Sequence, residues 1–412
     1  MRAETIEPVR LAVVLSHPTQ YYSPWFRWVT RHSGIVLRVF YLWDFGIAKT
    51  RDPHFETTFQ WDVDLLSGYD SEFLRNASRN PGAEHFFGFN NPELTARLSA
   101  WRPDALLVFG YNWASHLRAI AWGRLHRIPL IFRGDSHLLG RGAFPLHSRF
   151  LLRALFSQFA SFLFVGAANR EYFKAFGVPD KKLFFAPHSV DGSLYSRRDP
   201  RHAAEAASLR LQLGLKPSTK VVLFAGKFVS PKQPLELLKA FLELNFPESA
   251  LVYVGDGPER DQMESLANSA AAKSISAQVR FLPFANQSEM PSRYLMAELF
   301  VLPSKGVYET WGLAVNEAMN MGVPCMVSQR VGCQRDLVIP GETGWVFDSG
   351  SAQSLKQTLS EALEQLGSES KRQALQQAVA RKMEGYTYRE TTNGLLAALA
   401  AMRGRYLLAA TV

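Results

Sequence analysis

The chain alternates between short apolar runs and longer segments of helical length. The runs are bounded by glycine or proline, which is typical of strands buried on both faces of a parallel sheet. In the first half, the predicted strands span residues 10–16, 35–43, 104–110, 128–133, 161–166 and 182–187. In the second half, they span residues 220–226, 249–255, 278–283, 298–303, 323–328 and 344–347.

The alternation of strands and helices occurs twice, and a polar segment at residues 191–220 separates the two series. Strands that alternate with helices predict a doubly wound α/β fold. We therefore predict two such domains, residues 1–200 and 201–385, followed by a final helix within residues 386–412. Because ligands bind parallel sheets at the carboxyl ends of their strands, two facing domains would form the active site in the cleft between them.

The composition is that of a folded globular protein, with 47% hydrophobic and 20% charged residues among 412. No apolar run approaches the ~20 residues that a membrane helix needs, and no signal-peptide pattern is present. A cytoplasmic location is therefore expected. The two cysteines, Cys325 and Cys333, are too few for a disulfide framework or a zinc site, and free thiols are expected.

The net charge of +9 is unevenly distributed. Residues 1–200 contain 24 lysines and arginines against 17 aspartates and glutamates, whereas the remainder contains 22 against 20. A basic first half suits an anionic partner, such as a membrane surface, or serves solubility alone. Since no nucleic-acid-binding module is visible, we expect no nucleic-acid partner.

Residues 147–159 combine arginines with apolar residues at helical spacing. Such a helix can dock on a membrane surface, where Arg149 and Arg153 would meet lipid headgroups. The alternative, which the pattern favours, is a helix that buries its apolar face in the core and exposes its arginines.

The segment from residue 301 to residue 324 contains the clearest candidate chemistry. A predicted strand ends at Pro303, and a helix is predicted to start near Gly312. Glu309 then precedes the helix, and Glu317 lies more than one turn into it. A carboxylate accepts two hydrogen bonds from a vicinal diol such as a ribose, and the free N–H groups at a helix start bind an anion or a hydroxyl.

Two glycine turns follow predicted strands of the second half. Gly226 is followed by Lys227 and then by Lys232, and Gly255 begins the second turn. A glycine turn with two lysines at the carboxyl end of a strand is suited to hold a pyrophosphate, because the lysines act as point charges.

Together, these motifs resemble the retaining glycosyltransferases of family 4, whose GT-B fold consists of two facing Rossmann-like α/β domains. The pair Glu309 and Glu317 is the most specific marker. The resemblance implies that Glu317 binds the ribose of a nucleotide-sugar donor and that Glu309 binds a hydroxyl of the donor sugar. Lys227 and Lys232 would contact the diphosphate. The other donor-binding residues that the resemblance implies are Gly226, Gly255, Pro283, Phe284, Thr310, Trp311, Gly312 and Leu313.

The resemblance also assigns roles to the domains. Residues 1–200 would form the acceptor side, residues 201–385 would bind the donor, and the final helix would cross back onto the first domain. His137 is expected to hydrogen-bond the donor sugar, with Asp135 orienting that sugar or the acceptor. The alternative for His137 is a cap on the next helix, and His188 is expected in an interdomain loop.

The loop after the first strand departs from the family's pattern, because residues 16–24 contain no glycine. Close approach of this backbone to the donor is therefore less expected. The polar side chains of His17, Thr19 or Gln20 are candidates to replace it. The residues expected on the acceptor side are His17, Gln20 and Tyr21.

The implied reaction is a retaining transfer from a nucleotide-diphosphate sugar, UDP being preferred to GDP, to a hydroxyl of a glycan, lipid-linked or small-molecule acceptor. The leaving diphosphate helps to deprotonate the acceptor, so catalysis depends on charge stabilisation and geometry. The residues expected to provide these are His137, Asp135, Glu309, Lys232 and Lys227.

Neither a metal nor a cofactor is expected. The Asp62-Val63-Asp64 motif is too weak to predict a metal site, and we interpret it as surface chemistry. Two other classes remain open. One is a non-hydrolysing nucleotide-sugar epimerase, for which no matched acid and base is evident, and the other is a non-catalytic nucleotide-sugar-binding protein.

Residues 44–92 interrupt the pattern of strands and helices and are rich in aromatic side chains. Such a content of aromatics argues against disorder, and long irregular segments of compact domains are often functional. Two interpretations remain open: the aromatic side chains pack the segment against its own domain, or they contact the acceptor.

Overall fold

Two parallel sheets organise the protein, whose computed structural model describes residues 8–47, 50–51, 58–272, 278–306 and 309–409. The strands are β1 (Arg10–Leu15), β2 (Val36–Tyr41), β3 (Thr50–Arg51), β4 (Thr58–Phe59), β5 (Asp70–Phe73), β6 (Ala105–Phe109), β7 (Leu130–Arg133), β8 (Ser161–Phe164), β9 (Leu183–Phe185), β10 (Lys220–Ala225), β11 (Ser249–Val254), β12 (Gln278–Leu282), β13 (Leu299–Leu302), β14 (Cys325–Ser328) and β15 (Gly344–Phe347). The first sheet has seven strands in the order β5-β2-β1-β6-β7-β8-β9, and the second has six in the order β12-β11-β10-β13-β14-β15. The short pair β3-β4 is antiparallel.

The helices are α1 (Tyr22–His32), α2 (Leu94–Trp101), α3 (Ala114–Leu125), α4 (Leu146–Phe156), α5 (Ala167–Ala175), α6 (Pro200–Gln212), α7 (Pro234–Leu244), α8 (Arg260–Ala272), α9 (Met290–Leu295), α10 (Leu313–Asn320), α11 (Gln334–Leu337), α12 (Ala352–Leu366), α13 (Glu369–Met383) and α14 (Tyr388–Ala409). Helices α1 to α11 connect strands, α12 to α14 follow β15, and together they cover both faces of each sheet. The predicted α/β class with two facing, doubly wound sheets is confirmed.

The strands are apolar because each sheet is buried on both faces. In β1, Leu11 and Val13 pack in a cluster with residues of α1 and α14, whereas Ala12 and Val14 pack with residues of α2 to α5. This two-sided burial is why uninterrupted apolar runs located the strands in the sequence.

The strand β5 was not predicted from the sequence, because it lies in the segment of residues 44–92 that interrupts the pattern of strands and helices. Asp70–Phe73 pairs in parallel with β2 at the edge of the first sheet. Its residues are polar or only partly buried, because an edge strand has one free side. A strand of this kind produces no apolar run.

The last helix, α14, packs against the first domain, in contact with α1, β8 and β9. The side chain of Thr391 donates a hydrogen bond to the Pro187 carbonyl at 2.8 Å, and the Trp25 indole donates to Thr392 at 3.1 Å. Gly394 allows this approach, because a Cβ there would lie 2.0 Å from the Phe185 carbonyl oxygen. The chain therefore passes twice between the domains, after β9 and again before α14.

Within the described ranges, no helix is both long enough and apolar enough to cross a membrane.

Candidate active site

The candidate site is a cavity of about 340 Å³ in the cleft, at the carboxyl ends of strands from both sheets. The first domain contributes Gln20, Tyr21, Trp61 and Asp135 to its lining. The predicted donor residues that line it are Gly226, Lys232, Gly255, Phe284, Glu309, Thr310, Trp311, Gly312, Leu313 and Glu317. A larger cavity, of about 640 Å³, lies between the two segments of chain that pass from one domain to the other, away from the strand ends of either sheet. We place the chemistry in the smaller one because ligands of doubly wound sheets bind at strand carboxyl ends.

Two glycine turns form one wall of the cavity. Gly226 and Gly255 have φ angles of +152° and +138°, which non-glycine residues rarely adopt. A Cβ on Gly255 would lie 2.1 Å from the Gly226 carbonyl oxygen. A Cβ on Gly226 would lie 3.6 Å from Nζ of Lys232. The absence of side chains therefore lets the two turns pack together and places a lysine ammonium directly beside them.

Lys232 and Glu309 form an ion pair across this wall. Nζ of Lys232 lies 2.9 Å from Oε2 of Glu309, and the Ser304 hydroxyl donates to the same oxygen at 3.2 Å. Both side chains are partly exposed to the cavity. The second oxygen of the carboxylate has no partner among the described residues, so Glu309 retains acceptor capacity.

Backbone contacts fix the loop that carries Glu309. The Gly332 N–H donates to the Glu309 carbonyl at 3.1 Å, and the Cys333 N–H donates to the Trp311 carbonyl at 2.9 Å. Gly332 has to be a glycine here, since a Cβ would lie 1.8 Å from the Thr310 carbonyl oxygen.

The start of α10 faces the cavity. Gly312, at φ +100°, precedes the helix, and a Cβ on it would lie 2.9 Å from Val331. Leu313 and Ala314 also line the cavity. Because the first N–H groups of a helix have no intrahelical acceptor, this end presents donors and the positive end of the helix dipole.

Glu317 is buried, with 3% of its surface exposed, and both of its oxygens accept hydrogen bonds from tyrosines. The Tyr21 hydroxyl donates to Oε1 at 3.0 Å from the facing domain, and the Tyr294 hydroxyl donates to Oε2 at 2.7 Å. Burial raises the pKa of Glu317, and the hydrogen bonds from Tyr294 and Tyr21 partly oppose that rise. The sequence places Tyr21 on the acceptor side, but its hydroxyl contacts the predicted donor carboxylate.

Asp135 reaches the cavity from the carboxyl end of β7. Its Oδ2 accepts a hydrogen bond from the Thr310 hydroxyl at 2.9 Å and lies 3.7 Å from Nε2 of His188. That second distance is too long for a hydrogen bond, and burial lowers the pKa of His188. Burial alone would raise the pKa of Asp135, but the neighbouring His188 and the Thr310 hydrogen bond outweigh it, and the net direction is downward.

His137 lies beside the site and uses both ring nitrogens. The Leu139 N–H donates to its Nδ1 at 3.1 Å, which requires the proton of a neutral ring to be on Nε2. Nε2 is 3.2 Å from the Glu309 carbonyl, to which it then donates. Burial lowers the pKa of His137, in agreement with a neutral ring. The predicted hydrogen bond to a donor sugar would therefore require one nitrogen to exchange its partner.

Other predicted residues lie outside the cavity lining. His17 packs against Trp43 and Phe45, at ring-centroid distances of 6.1 and 5.4 Å, and burial lowers its pKa to about 4. Pro283 is exposed, and Lys227 does not line the cavity.

Trp311 lines the cavity, but its indole is buried, with 2% exposed. The indole donates to Oδ1 of Asn316 at 2.7 Å, and Asn316 donates to the His188 carbonyl at 3.1 Å. The side chain of Trp311 therefore connects the start of α10 to the segment that leaves the first domain.

The aromatic segment reaches the second domain. Trp61 lines the cavity, and the Asn286 amide donates to the Gln60 carbonyl at 2.7 Å. The side chain of Asp62 accepts hydrogen bonds from the backbone and hydroxyl of Ser288. Within the segment, Asp64 accepts from the backbone of Leu66 and Ser67 instead.

The two aspartates of the Asp62-Val63-Asp64 motif therefore have separate structural partners. In the part of the chain that the structure describes, no group of three or more His, Cys, Asp or Glu side chains is arranged to hold a metal ion.

A second set of interdomain contacts lies at the amino end of α5. The carboxylate of Asp336 accepts from the Ala167 N–H at 3.0 Å, and Arg335 pairs with Glu171 at 2.8 Å. Burial raises the pKa of Asp336 to about 6, although the hydrogen bond from the Ala167 backbone opposes the rise.

Sequence reasoning missed several residues of the site. Tyr294 in α9 holds Glu317, and the cavity is also lined by Trp61, Gln287 and Met290. None of them belongs to a glycine turn or follows a predicted strand directly, so no local pattern marks them.

Part of the chain is similar in sequence to known glycosyltransferases. Residues 207–382 match the family model described as "Glycosyl transferases group 1", which covers most of the second domain. The sulfoquinovosyl transferase SQD2 of Arabidopsis thaliana is 26% identical over 285 residues, covering 64% of this chain and 50% of that protein. The D-inositol 3-phosphate glycosyltransferase of Rhodococcus jostii is 34% identical over 199 residues, covering 47% and 42%. The chain thus spans about half or less of the length of these curated relatives.

Solved structures match nearly the whole chain. Anabaena Alr3699/HepE in complex with UDP superposes with a TM-score of 0.71 at 17% identity, covering 95% of this chain and all of that one. A glycosyltransferase from Rickettsia africae has a TM-score of 0.71 at 10% identity, covering 96% and 99%. WaaG, described as a glycosyltransferase of lipopolysaccharide biosynthesis, has a TM-score of 0.61 at 17% identity, covering 95% and 98%. The fold is accordingly GT-B, as the resemblance implied.

Proposed function

We propose that this protein is a glycosyltransferase that moves a sugar from a nucleotide-diphosphate sugar to an acceptor hydroxyl. The observation that carries the proposal is the joint position of one ammonium, two carboxylates and one helix start around a single interdomain cavity. Lys232, Glu309, Glu317 and Gly312 provide these groups. The match of residues 207–382 to group 1 glycosyl transferases supports the same reaction class.

The donor's groups can be matched to the wall of the cavity. The diphosphate would lie between Lys232 and the start of α10, where positive charge and free N–H groups converge. The ribose would bind Glu317, and the base would lie near Phe284. The donor sugar would then reach Glu309, whose second oxygen can accept from a hydroxyl.

The main catalytic contribution that we assign to the protein is stabilisation of the leaving diphosphate. In the proposed retaining transfer, the bond from the anomeric carbon to the diphosphate oxygen breaks. A bond to the acceptor oxygen forms on the same face, and the acceptor proton passes to the diphosphate. Lys232 and the amino end of α10 would stabilise the departing charge, with Glu309 positioning both the sugar and the lysine.

The remaining finer assignments belong to the same proposal. They comprise membership of family 4, retention of configuration, independence from metals, and UDP rather than GDP as the nucleotide. HepE, which shares this fold, was crystallised in complex with UDP, and this supports that choice of nucleotide. Lys227, although outside the cavity lining, would contact the diphosphate. His137 would hydrogen-bond the donor sugar, and Asp135 would orient that sugar or the acceptor. We place the acceptor, a glycan, lipid-linked molecule or small molecule, on the domain of residues 1–200, and the protein in the cytoplasm, with peripheral contact to the cytoplasmic face of a membrane.

The first test is donor binding. Thermal shift with UDP-, GDP- and ADP-sugars should raise the melting temperature for one nucleotide class, since a ligand that binds only the folded state stabilises it by mass action. Glu317→Gln should reduce this shift, whereas Glu361→Gln, on the distant helix α12, should leave it unchanged. A wild-type protein that no nucleotide sugar stabilises would contradict the proposal.

The second test is the reaction itself. Incubation with the bound nucleotide sugar and a panel of hydroxyl acceptors should release nucleoside diphosphate, and NMR of the product should show the anomeric configuration of the donor. Epimer formation without acceptor would favour the epimerase instead. Binding with neither transfer nor hydrolysis would favour a non-catalytic protein, and complete loss of activity in EDTA would overturn metal independence.

A further inference from the structure

The helix α4 exposes large apolar side chains. Leu146, Phe150 and Leu151 are 85%, 72% and 63% exposed, and Phe156 is the one fully buried residue of the helix. The favoured interpretation, a helix with its apolar face in the core and its arginines exposed, is confirmed for Leu152, Leu155 and Phe156 but is wrong for these three positions. Single exposed apolar residues are ordinary, but three on one eleven-residue helix form a patch of the kind that marks an interaction site.

The charged side chains of α4 are all basic. The helix has no acidic residue, and Arg149 and Arg153 are both exposed. Arg141, in the preceding loop, is exposed as well. Across the described ranges, no carboxylate lies within ion-pair distance of any of these three arginines. Their charge is therefore available to an external anionic partner.

The patch also lies next to the cleft. The chain leaves β7 at Arg133, passes Asp135 in the cavity lining and His137 beside it, and enters α4 at Leu146. Because a helix that follows a parallel strand starts near the carboxyl end of that strand, the amino end of α4 is on the cleft side of the first domain.

We propose that α4 is a docking surface for an anionic lipid bilayer, composed of Leu146, Phe150 and Leu151 flanked by Arg149 and Arg153. An interfacial helix of this type inserts its apolar side chains at the headgroup boundary while its arginines bind anionic headgroups. The charge of the patch favours this occupant over a second copy of the chain, because two such basic surfaces would repel each other. Docking would bring the cleft next to the membrane, which suits a lipid-borne acceptor; that last step rests on the proposed function.

The test is co-sedimentation of the full chain with vesicles. Binding should be measurable on vesicles of phosphatidylcholine with 30–40% phosphatidylserine, should weaken with added salt, and should be absent on phosphatidylcholine alone. The double variant Arg149→Ala, Arg153→Ala should weaken binding about 30-fold, because each lost arginine removes roughly one interaction with an anionic headgroup. Phe150→Ser with Leu151→Ser should weaken it at least as much.

Matched controls separate docking from general surface effects. Leu125→Ser changes an apolar residue that is 80% exposed on α3, and Arg124→Ala changes its exposed neighbour, so both should leave vesicle binding intact. Lack of wild-type binding at low salt, or equal loss in the control variants, would overturn the proposal. So would self-association that the α4 substitutions abolish without any effect on lipid binding.

The outcome is independent of the proposed transfer reaction. Thermal shift by nucleotide sugar and hydrolysis of the donor should be unchanged in the α4 variants, because α4 contributes no residue to the cavity lining. Vesicle binding without nucleotide-sugar binding would refute the function and retain the docking surface. Nucleotide-sugar binding without vesicle binding would refute the docking surface alone.

Discussion

Both halves of the cleft are formed by parallel sheets, but the chain continues differently after the strands of each sheet. In the second domain, β10 and β11 turn at once through Gly226 and Gly255, and the polar groups of the site follow closely in the sequence. In the first domain, β2 leads into a long aromatic segment that returns to the cavity only at Trp61. One half of the site is therefore encoded locally, whereas the other depends on packing between distant residues.

The largest expected effect is the loss of stability when a glycine turn of the second domain is substituted. Gly255→Ala should destabilise the second domain by about 4 kcal/mol, because the new Cβ would meet a backbone carbonyl 2.1 Å away and the φ angle is one that alanine rarely adopts. Gly110→Ala, at the end of β6, should cost about 1–2 kcal/mol, since its nearest contact is a side chain at 3.4 Å. Thermal unfolding of both variants measures the difference, and equal destabilisation would contradict the contrast between the two halves.

The next effect concerns charge on the donor side. Lys232→Ala should reduce kcat/KM by about 10²–10³-fold, as the loss of a preorganised charge in a transition state does. Lys356→Ala removes a lysine paired with Glu243 on helices away from the cleft and should leave kcat/KM unchanged. Steady-state kinetics with the identified donor provide the measurement, and full activity of the Lys232 variant would refute its assignment.

A smaller effect tests whether the first domain participates in donor binding. Tyr21→Phe should weaken donor binding about tenfold, since it removes a hydrogen bond to a charged group. Tyr111→Phe, which removes a hydroxyl contact with Tyr172 inside the first domain, is the control and should bind the donor normally.

The same substitution has a pH signature. Burial raises the pKa of Glu317, and the hydrogen bonds from Tyr294 and Tyr21 lower it. Removal of either hydroxyl should therefore raise this pKa further. Since the ionised carboxylate is the form that accepts from a diol, the acid limb of the activity profile should move to higher pH in Tyr21→Phe and Tyr294→Phe. An unchanged limb would exclude Glu317 as the group that titrates there.

The smallest expected effect is a change in the pH dependence of stability, caused by Asp336 in the interdomain contact at the amino end of α5. Burial raises the pKa of Asp336 to about 6, so the folded protein binds this proton more tightly than the unfolded chain does. Stability contributed by this group is therefore greatest at low pH and falls as the pH rises from about 4 to 6. Asp336→Asn stays neutral and should remove that slope while keeping the acceptor for Ala167. Melting temperatures from pH 4.5 to 7, with Asp261→Asn on the exposed side of α8 as control, test this expectation.

The sequence predicted the fold well because both sheets are buried on two faces and each buried strand forms an apolar run. The predictable part of the site lies in the second domain for a similar reason. Gly226, Lys232, Gly255 and Glu309 lie within a few residues of strand ends, where parallel sheets bind their ligands.

The remainder depends on contacts that no local pattern encodes. Tyr21 and Glu317 are 296 positions apart in the chain, and only the completed fold brings them together. The exposure of Phe150 could not be predicted either, because helical periodicity shows that a face is apolar but not whether another element covers it.

The return of α14 to the first domain has a consequence for limited proteolysis. A single cut in the segment that leaves β9 would not release two free domains, because the fragment beginning at α6 would still hold the first domain through Thr391, Thr392 and the helix around Gly394. Nicked protein should therefore elute as one species under native conditions and separate only in denaturant. The strands of the first sheet and the helix that completes its covering are separated in the sequence by the whole second sheet, so a nascent chain acquires that helix only after the second domain has been synthesised.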